Sequence, residues 1–595
     1  MKTASSRQVA DKAHNYFDKM AMPMTEWICV AAIPLYLCNY KIETLQSFDE
    51  GSLLQWILLL MGATALLSFI SIFPLDDACN KKQKIRGEGL VIGSHLVPVM
   101  YFAMILLSSG QENGEPNQSI YLGMQHVMYS SCGGISFIIS CLWSRTKGVT
   151  KRMPSNNHRA VMKLCWKVYL VLLLSNQVEF SITQQSQSYL PCTFLGLIHS
   201  LMIYCYGSTI FNNQEDQNQW QDAFTCGEWM VVSNLAASLI GDFILLNFSS
   251  VDYNCDNLPE HLVIAQAGLV GCMVGIVYSQ ASSRILRIGI IGSLFIVLGV
   301  VVGFLELACS RMQMSHTEWI VLPRSVQWIL QFLTDEVQVY IGSDKIHFHR
   351  YLILVYWSLV LIVSIPLTIQ VCSWVESKSR IQKRRIVIAR KFFHLIAIIL
   401  FTPITWLDPD LMALAYAIAT TLLMILEIIR CYSIEQKQSN ITSSLNEFYT
   451  MFLDEKDSHA ADGGLAITHI TLIVGCAMPL WISQIMNFSG NTLPEQLLPF
   501  IGVLVLGVGD SVGAIAGINV GRHRWPGSTR TLEGSSCMFA SMFVPLYLAC
   551  TYENWKIWVV FAIVTLLEAS TSQIDNLCLP LVSTSLVVLL GGQNA

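Results

Sequence analysis

The chain has 595 residues, of which 53% are hydrophobic and only 13% charged, with a formal net charge of −5. Soluble domains carry roughly a quarter charged residues, so this is the composition of a membrane protein, and the small net charge argues against a nucleic-acid partner. The 18 cysteines form no C-x-x-C pair and mostly sit in apolar runs (Cys132, Cys141, Cys205, Cys272), which speaks against a disulfide or zinc framework.

Residues 1–23 are polar and mixed in charge, which predicts insertion by internal helices without a cleaved leader. Apolar runs of about 20 residues then recur to the end of the chain, each long enough to cross a hydrocarbon core roughly 30 Å thick. Within a bilayer the backbone has to satisfy its own hydrogen bonds, so helices are the expected spanning element, and barrel-type alternation is missing. In chain order, hydropathy predicts helices over 24–40, 52–74, 89–108, 119–143, 160–176, 189–211, 227–249, 259–279 and 286–309. It continues with 351–373, 392–407, 409–429, 464–486, 497–519, 535–551, 554–570 and 575–591. The expected fold is an all-α polytopic membrane protein with about 15–17 transmembrane helices. Two regions are expected: a multi-span region over 1–375, serving as scaffold or lipid groove, and a chemically richer region over 376–595.

Charge orients these helices. Basic clusters at Lys81–Arg86, Arg145–Lys163, Arg284 with Arg287, Lys378–Lys391 and Arg522–Arg530 are separated by even numbers of predicted helices. The positive-inside rule places them, and the basic N-terminal tail, in the cytosol. The sequons at Asn117 and Asn487 fall on the opposite side, as a lumenal acceptor needs, whereas Asn440 falls on the cytosolic side. The segment 310–350, with Trp319, Trp328, Phe332 and Tyr340, reads as an interfacial stretch on the lumenal side.

Ionisable groups at membrane depth invite a functional question. Glu427 has Arg430 three residues on, so a helical ion pair competes with a functional role; His394 is either a headgroup-level histidine or part of a site. Asp510 has no cation within a turn, which favours a metal or a proton-transfer partner. Glycines recur every fourth residue at Gly509, Gly513, Gly517 and Gly521, a pattern that serves close helix packing. The continuation adds a second possibility. Arg522, Arg524 and Arg530 suit phosphate oxygens, Pro526-Gly527 makes a turn, and Ser528, Thr529 and Thr531 supply hydroxyls. Together these suit a nucleotide phosphate chain with its metal. No G-x-x-x-x-G-K-[ST] loop, dinucleotide fingerprint or protein-kinase triplet is present.

Gly509-Asp510-Ser511, Gly517, Gly521, Arg524-Trp525-Pro526-Gly527 and Thr531-Leu532-Glu533-Gly534 resemble the nucleotide-binding segment of the eukaryotic dolichol kinases, polytopic enzymes similar here to phytol kinases and phosphatidate cytidylyltransferases. Arg390-Lys391-Phe392-Phe393-His394, the acidic run Asp454 to Asp457, Thr468-His469, and Glu568 with Asp575-Asn576-Leu577 and Pro580 match further family elements in order. The resemblance covers about residues 385–595 in specific motifs and implies CTP plus dolichol giving CDP plus dolichyl phosphate for protein glycosylation, at the endoplasmic reticulum membrane. It implies Asp510, Arg530 and Glu533 as catalytic residues, with Arg390, Lys391, His394, Asp454, Asp457, His469, Glu568 and Asn576 in support. The cytosolic CTP-binding loop is expected at about 517–534, drawing on Gly509, Ser511, Gly517, Gly521, Arg522, Arg524, Trp525, Pro526, Gly527, Ser528, Thr529, Thr531 and Gly534. A divalent cation, Mg2+ or Ca2+, would rest on Asp510 and Asp575, and backbone amides around Gly521 and Gly527 would cradle phosphates. Glu533 would orient Arg530 or bind a second metal. Two departures stand out: Thr529-Arg530 where the family commonly has two lysines, and a longer loop around His459–Gly464 that leaves the match of Asp462 and Gly463 open. A lipid cytidylyltransferase and a lipid or solute transporter are the competing readings; the transporter would need pathway-lining polar residues in the early spans, where only Glu228 and Asp242 stand out.

Overall fold

The computed structural model describes residues 23–44, 51–72, 90–108, 126–136, 138–139, 167, 225–248, 258–286, 290–312, 322–341, 344–376, 382–435, 466–486, 493–548, 555–571 and 573–591. A π-helical turn at Ile28–Ala32 runs into α1 (Ile33–Thr44), followed by α2 (Gly51–Ile72), α3 (Leu90–Ser108), α4 (Cys226–Phe248), α5 (Glu260–Leu286) and α6 (Ile290–Arg311). A short helix α7 (Arg324–Thr334) and a hairpin of β1 (Glu336–Ile341) and β2 (Asp344–His349) come next. They lead to α8 (Tyr351–Glu376), α9 (Gln382–Leu407), α10 (Pro409–Glu435) and α11 (Thr468–Ile485). The C-terminal part carries α12 (Leu493–Gly502), a second π segment (Val503–Gly509), α13 (Asp510–Val520), α14 (Leu532–Leu548), α15 (Trp555–Ser570) and α16 (Asp575–Gly591).

Among the described residues seven helices are long and apolar enough to cross a membrane, so the chain is a multi-pass, all-α membrane protein, as its composition predicts. The predicted span 189–211 lies outside the described residues, and 119–143 and 160–176 are described only in part. The largest boundary difference is at α9, which begins at Gln382 and not at 392. Hydropathy registers only the apolar part of that helix, whereas Gln, Lys and Arg in its first turns are good helix formers and extend it.

The chain folds as two compact units interleaved in sequence. The first comprises Met1–Gly241, Gly490–Gln496 and Val512–Ala595; the second comprises Asp242–Ser489 and Leu497–Ser511. In the first, α16 packs against α3 and α15, burying Leu96, Phe102, Phe561, Leu579 and Leu586. The indole N–H of Trp27 donates to the carbonyl of Ala65 at 3.0 Å, tying the first helical turns to α2.

In the second unit α5 packs on α6 and α10, and α9 packs on α8 and on the π segment. Pro403 inside α9 lacks an N–H, so the carbonyl of Ile399 loses its helical donor. Tyr356 of α8 fills that place, its hydroxyl donating to Ile399 O at 2.5 Å, with Trp357 Nε1 donating to Leu400 O at 2.9 Å beside it. The segment read as interfacial holds a feature that its aromatic spacing does not announce. After α7, β1 and β2 pair antiparallel with Glu336 opposite His349 and Ile341 opposite Asp344. Glu306 of α6 accepts from the Ser325 N–H at 2.9 Å and its hydroxyl at 2.6 Å, capping the start of α7. Arg350 closes the arrangement, stacked over Phe332 at 3.8 Å and paired with Asp408 at 2.7 Å.

Candidate functional site

The second unit holds the first cluster. Because α9 extends back to Gln382, Arg390, Lys391 and His394 stand on one continuous helix, with Lys391 and His394 three residues apart on one face. The π segment comes close to this helix. A Cβ on Gly507 would lie 2.7 Å from Ile398 Cγ1, so glycine is what permits the approach. Gly509 ends the π segment, and Asp510 opens α13. π turns occur frequently at functional positions. Here Lys391 Nζ donates to Asp510 Oδ2 at 2.5 Å, and His394 Nε2 lies 3.9 Å from the same oxygen. The side chains of Lys391 and Asp510 are only 8% and 7% exposed. His394 Nδ1 lies 3.0 Å from the Arg390 carbonyl, which can only accept, so Nδ1 carries a proton and Nε2 faces the carboxylate. Sequence around Asp510 offers no neutralising cation; the structure supplies one from 119 residues away. The Ser511 hydroxyl is buried without a hydrogen-bond partner among the described residues.

One other acid of this unit, Glu427, resolves into a structural role. Glu427 and Arg430 do form the i,i+3 pair, at 2.6 Å, with side chains 3% and 1% exposed, so the pair is buried within the protein. Glu427 also accepts from the Ala466 N–H at 2.5 Å, anchoring the approach to α11, where His469 is the second residue. Asp454 and Asp457 lie outside the described residues.

The first unit holds the second cluster, built on the loop between α13 and α14. Trp525-Pro526-Gly527-Ser528 makes a turn closed by Ser528 N–H donating to Trp525 O at 3.1 Å, with Gly527 at φ 73°. Proline at the second position and glycine with positive φ at the third are what a type II turn requires. The arms pair briefly, Trp525 N–H to Arg530 O at 3.1 Å and Leu532 N–H to His523 O at 2.8 Å, around an Arg524–Thr531 bridge. Ser528 Oγ accepts from the Arg530 N–H, and Trp525 Nε1 donates to Ser535 Oγ at 3.0 Å. Arg522, Arg524 and Thr529 are exposed on this hairpin-like loop.

The Thr531-Leu532-Glu533-Gly534 element closes the loop. Thr531 Oγ1 accepts from the Gly534 N–H at 3.2 Å, capping α14. The glycine stripe packs here: a Cβ on Gly521 would stand 2.6 Å from Thr531 Oγ1, and one on Gly534 2.9 Å from Gly513 O. Gly513, Gly517 and Gly521 therefore form an intrachain packing face against the start of α14, the first of the two readings of that spacing. Glu533 does not reach Arg530. Its carboxylate accepts from the backbone N–H groups of Arg522 at 3.0 Å and His523 at 3.2 Å and pairs with His523 Nδ1 at 2.6 Å. The amides just beyond Gly521 are thus engaged by a carboxylate. Accepting from its own backbone N–H first, then from Arg522 and His523, holds Glu533 at about 2, below its ordinary 4.5. A depressed carboxylate stabilises above its ordinary pKa and loses that contribution as pH falls through its folded value, so the window lies between 4.5 and about 2. We expect the loop to become pepsin-sensitive only within that window. In Glu533→Gln protein, trypsin should already cleave after Arg522 and Arg524 at neutral pH; equal resistance of the two proteins would refute the latch.

Arg530 has other partners. Its Nε lies 3.0 Å from Glu568 Oε1 and its Nη2 donates to Asp575 Oδ2 at 2.8 Å. One guanidinium fork bridges two carboxylates through separate nitrogens, which the point charge of a lysine does less well. Sequence spacing did not pair these residues; the end of α15 and the first turn of α16 bring them together, with Asn576 buried beside them. Among the described residues no three His, Cys, Asp or Glu side chains form a ready metal cage.

Comparison with known proteins fits this arrangement. The family model for dolichol kinase matches residues 194–538, more than half of the chain. Human dolichol kinase is 29% identical over 378 residues, which is 60% of this chain and 64% of that one. Arabidopsis thaliana dolichol kinase EVAN is 31% identical over 275 residues, 44% of this chain and 42% of its own. Dolichol kinase sec59 of Schizosaccharomyces pombe is 30% identical over 198 residues, 32% and 37% respectively. The matched region thus spans less than two thirds of each of these relatives. No solved structure matches. The chain belongs to the dolichol kinase family.

Proposed function

We propose that this chain transfers the γ-phosphoryl group of CTP to dolichol, giving CDP and dolichyl phosphate for protein glycosylation, in the endoplasmic reticulum membrane with the Arg522–Arg530 loop and the N-terminus facing the cytosol. The observation that carries this reading is an exposed basic loop braced by Glu533, Glu568 and Asp575 in a chain of this family. A polyprenol lives in the bilayer and CTP in water, so a loop at a helix end suits their meeting. Phosphoryl transfer runs through a loose transition state, and catalysis is then mostly positioning and charge stabilisation.

In the first unit, Arg522 and Arg524 are the proposed ligands of the nucleotide phosphates, and Arg530, aimed by its two carboxylates, faces the transferred group. Ser528, Thr529 and the turn at Gly527 line the same loop, while Thr531, Glu533 and Gly534 hold its shape. In the second unit, Asp510 orients the attacking hydroxyl and takes its proton as oxygen bonds to Pγ and the Pγ–O bond to CDP breaks. Lys391 and His394 steady that carboxylate. A divalent cation suits such carboxylates, since Mg2+ commonly rests on one or two of them and on phosphate oxygens; Asp575 in the first unit and Asp510 in the second are each a candidate ligand, and a bound cation would offset charge on the transferred group. Microsomes carrying this chain, given γ-labelled CTP and dolichol, should yield labelled lipid and CDP, with unlabelled ATP competing poorly. Release of pyrophosphate would instead indicate a cytidylyltransferase, and equal competition by ATP would end the CTP assignment.

A further inference from the structure

Arg530 is aimed by two carboxylates, and one of them, Asp575, stands next to a backbone position held from far away in the chain. The carbonyl of Ile574 accepts from the N–H groups of Leu577 and Cys578, both at 3.1 Å, so Ile574 is the N-cap of α16 and Asp575 its first residue. The Ile574 N–H donates to Glu228 Oε1 at 2.6 Å. Glu228 lies in the first turn of α4 and is completely buried. Its other oxygen accepts from the Thr225 N–H at 2.8 Å, and Thr225 Oγ1 accepts from the Glu228 N–H at 3.2 Å, a reciprocal cap. Thr225 Oγ1 also donates to Gln573 Oε1 at 2.5 Å.

Helix capping alone does not account for this. A cap needs one acceptor for local amides, and an exposed serine or aspartate supplies it at small cost. A wholly buried carboxylate is expensive and persists where its hydrogen bonds are complete. Here the second oxygen is spent on an amide 346 residues away, on the segment joining Glu568 to Asp575. We propose that Glu228 is a positioning residue: through the Ile574 amide it sets the first turn of α16, and with it the Asp575 carboxylate that aims Arg530. The N-terminal region thereby contributes to the reaction without touching its reactants. This rests on the functional reading above, in which Arg530 and Asp575 serve the transfer.

Glutamine at 228 keeps size and one acceptor, but its amide nitrogen cannot accept from the second N–H. Glu228→Gln is expected to lower kcat for label transfer about tenfold with the KM for dolichol unchanged. The decisive readout is a double-mutant cycle with Asp575→Asn in expression-matched microsomes. If Glu228 acts through Asp575, Glu228→Gln costs nothing further in the Asp575→Asn background; losses that multiply overturn the positioning role. Full activity of Asp575→Asn alone would refute the functional reading and this proposal with it. Should Glu228→Gln fail to accumulate, Thr225→Val, which removes the strap to Gln573, takes its place in the cycle. It is expected to cost about threefold alone and nothing on top of Asp575→Asn, and a multiplying loss again overturns the proposal.

Discussion

Asp510→Asn protein is expected to transfer label from CTP to dolichol about 10²–10⁴-fold more slowly than wild type, at matched expression. Asparagine preserves shape and can still accept a hydrogen bond from Lys391, but it leaves that buried ammonium without its counter-charge, so the comparison is made at matched amounts of folded protein. What it loses is the charge and the ability to take a proton. The loss should fall on kcat, because the group acts on the reacting hydroxyl and not on nucleotide affinity. Activity close to wild type would remove Asp510 from the chemistry and leave the Lys391 pair as a packing device.

Lys391→Met should do something different. Lys391 and Asp510 are both buried, and removing one member of such a pair leaves an uncompensated charge, typically costing about 3–5 kcal/mol. The purified Lys391→Met protein should show a large drop in apparent Tm. Combining Lys391→Met with Asp510→Asn removes both charges, and buried pairs replaced by neutral groups are often tolerated. The double variant should therefore recover most of the thermal stability while remaining inactive. Recovery of both, or of neither, would contradict an ion pair that shapes the fold around a catalytic carboxylate.

Most helices were legible in the sequence because hydropathy over about 20 residues is a local property. Asp575 to Gly591 begins and ends where the apolar run does, and Tyr351 and Pro409 open their helices as predicted. The start of α9 was not, because a charged helical turn and a charged loop look alike to hydropathy. The β1–β2 hairpin was masked by the aromatic spacing that made 310–350 look like one interfacial stretch. The candidate site divides the same way. The Pro526-Gly527 turn and the Thr531 cap follow from local chemistry and stand where their residues imply. The partners of Asp510, Arg530 and Glu228 do not, since they lie 119, 45 and 346 residues away. A search for cations within a turn of Asp510 misses Lys391 for that reason, and the family motifs contain Asp510 and Lys391 without saying that they touch.

The π segment at Val503–Gly509 has a consequence for how this helix can vary. A π turn holds more residues than an α turn, so a helix containing one carries in effect an inserted residue, and each residue of α-helix is worth about 100° of rotation. On the N-terminal side Gly502 fits against Cys476, and within the segment Gly507 fits against Ile398; on the C-terminal side Asp510 pairs with Lys391. A deletion of one residue between 503 and 509 would let the helix become regular, and no rotation could then satisfy both sets of contacts. Substitutions of similar size on either side leave the phase of the helix intact, whereas a change of length by a single residue would send the Asp510 carboxylate round the helix away from Lys391. This helix constrains the count of its residues as strictly as their identity.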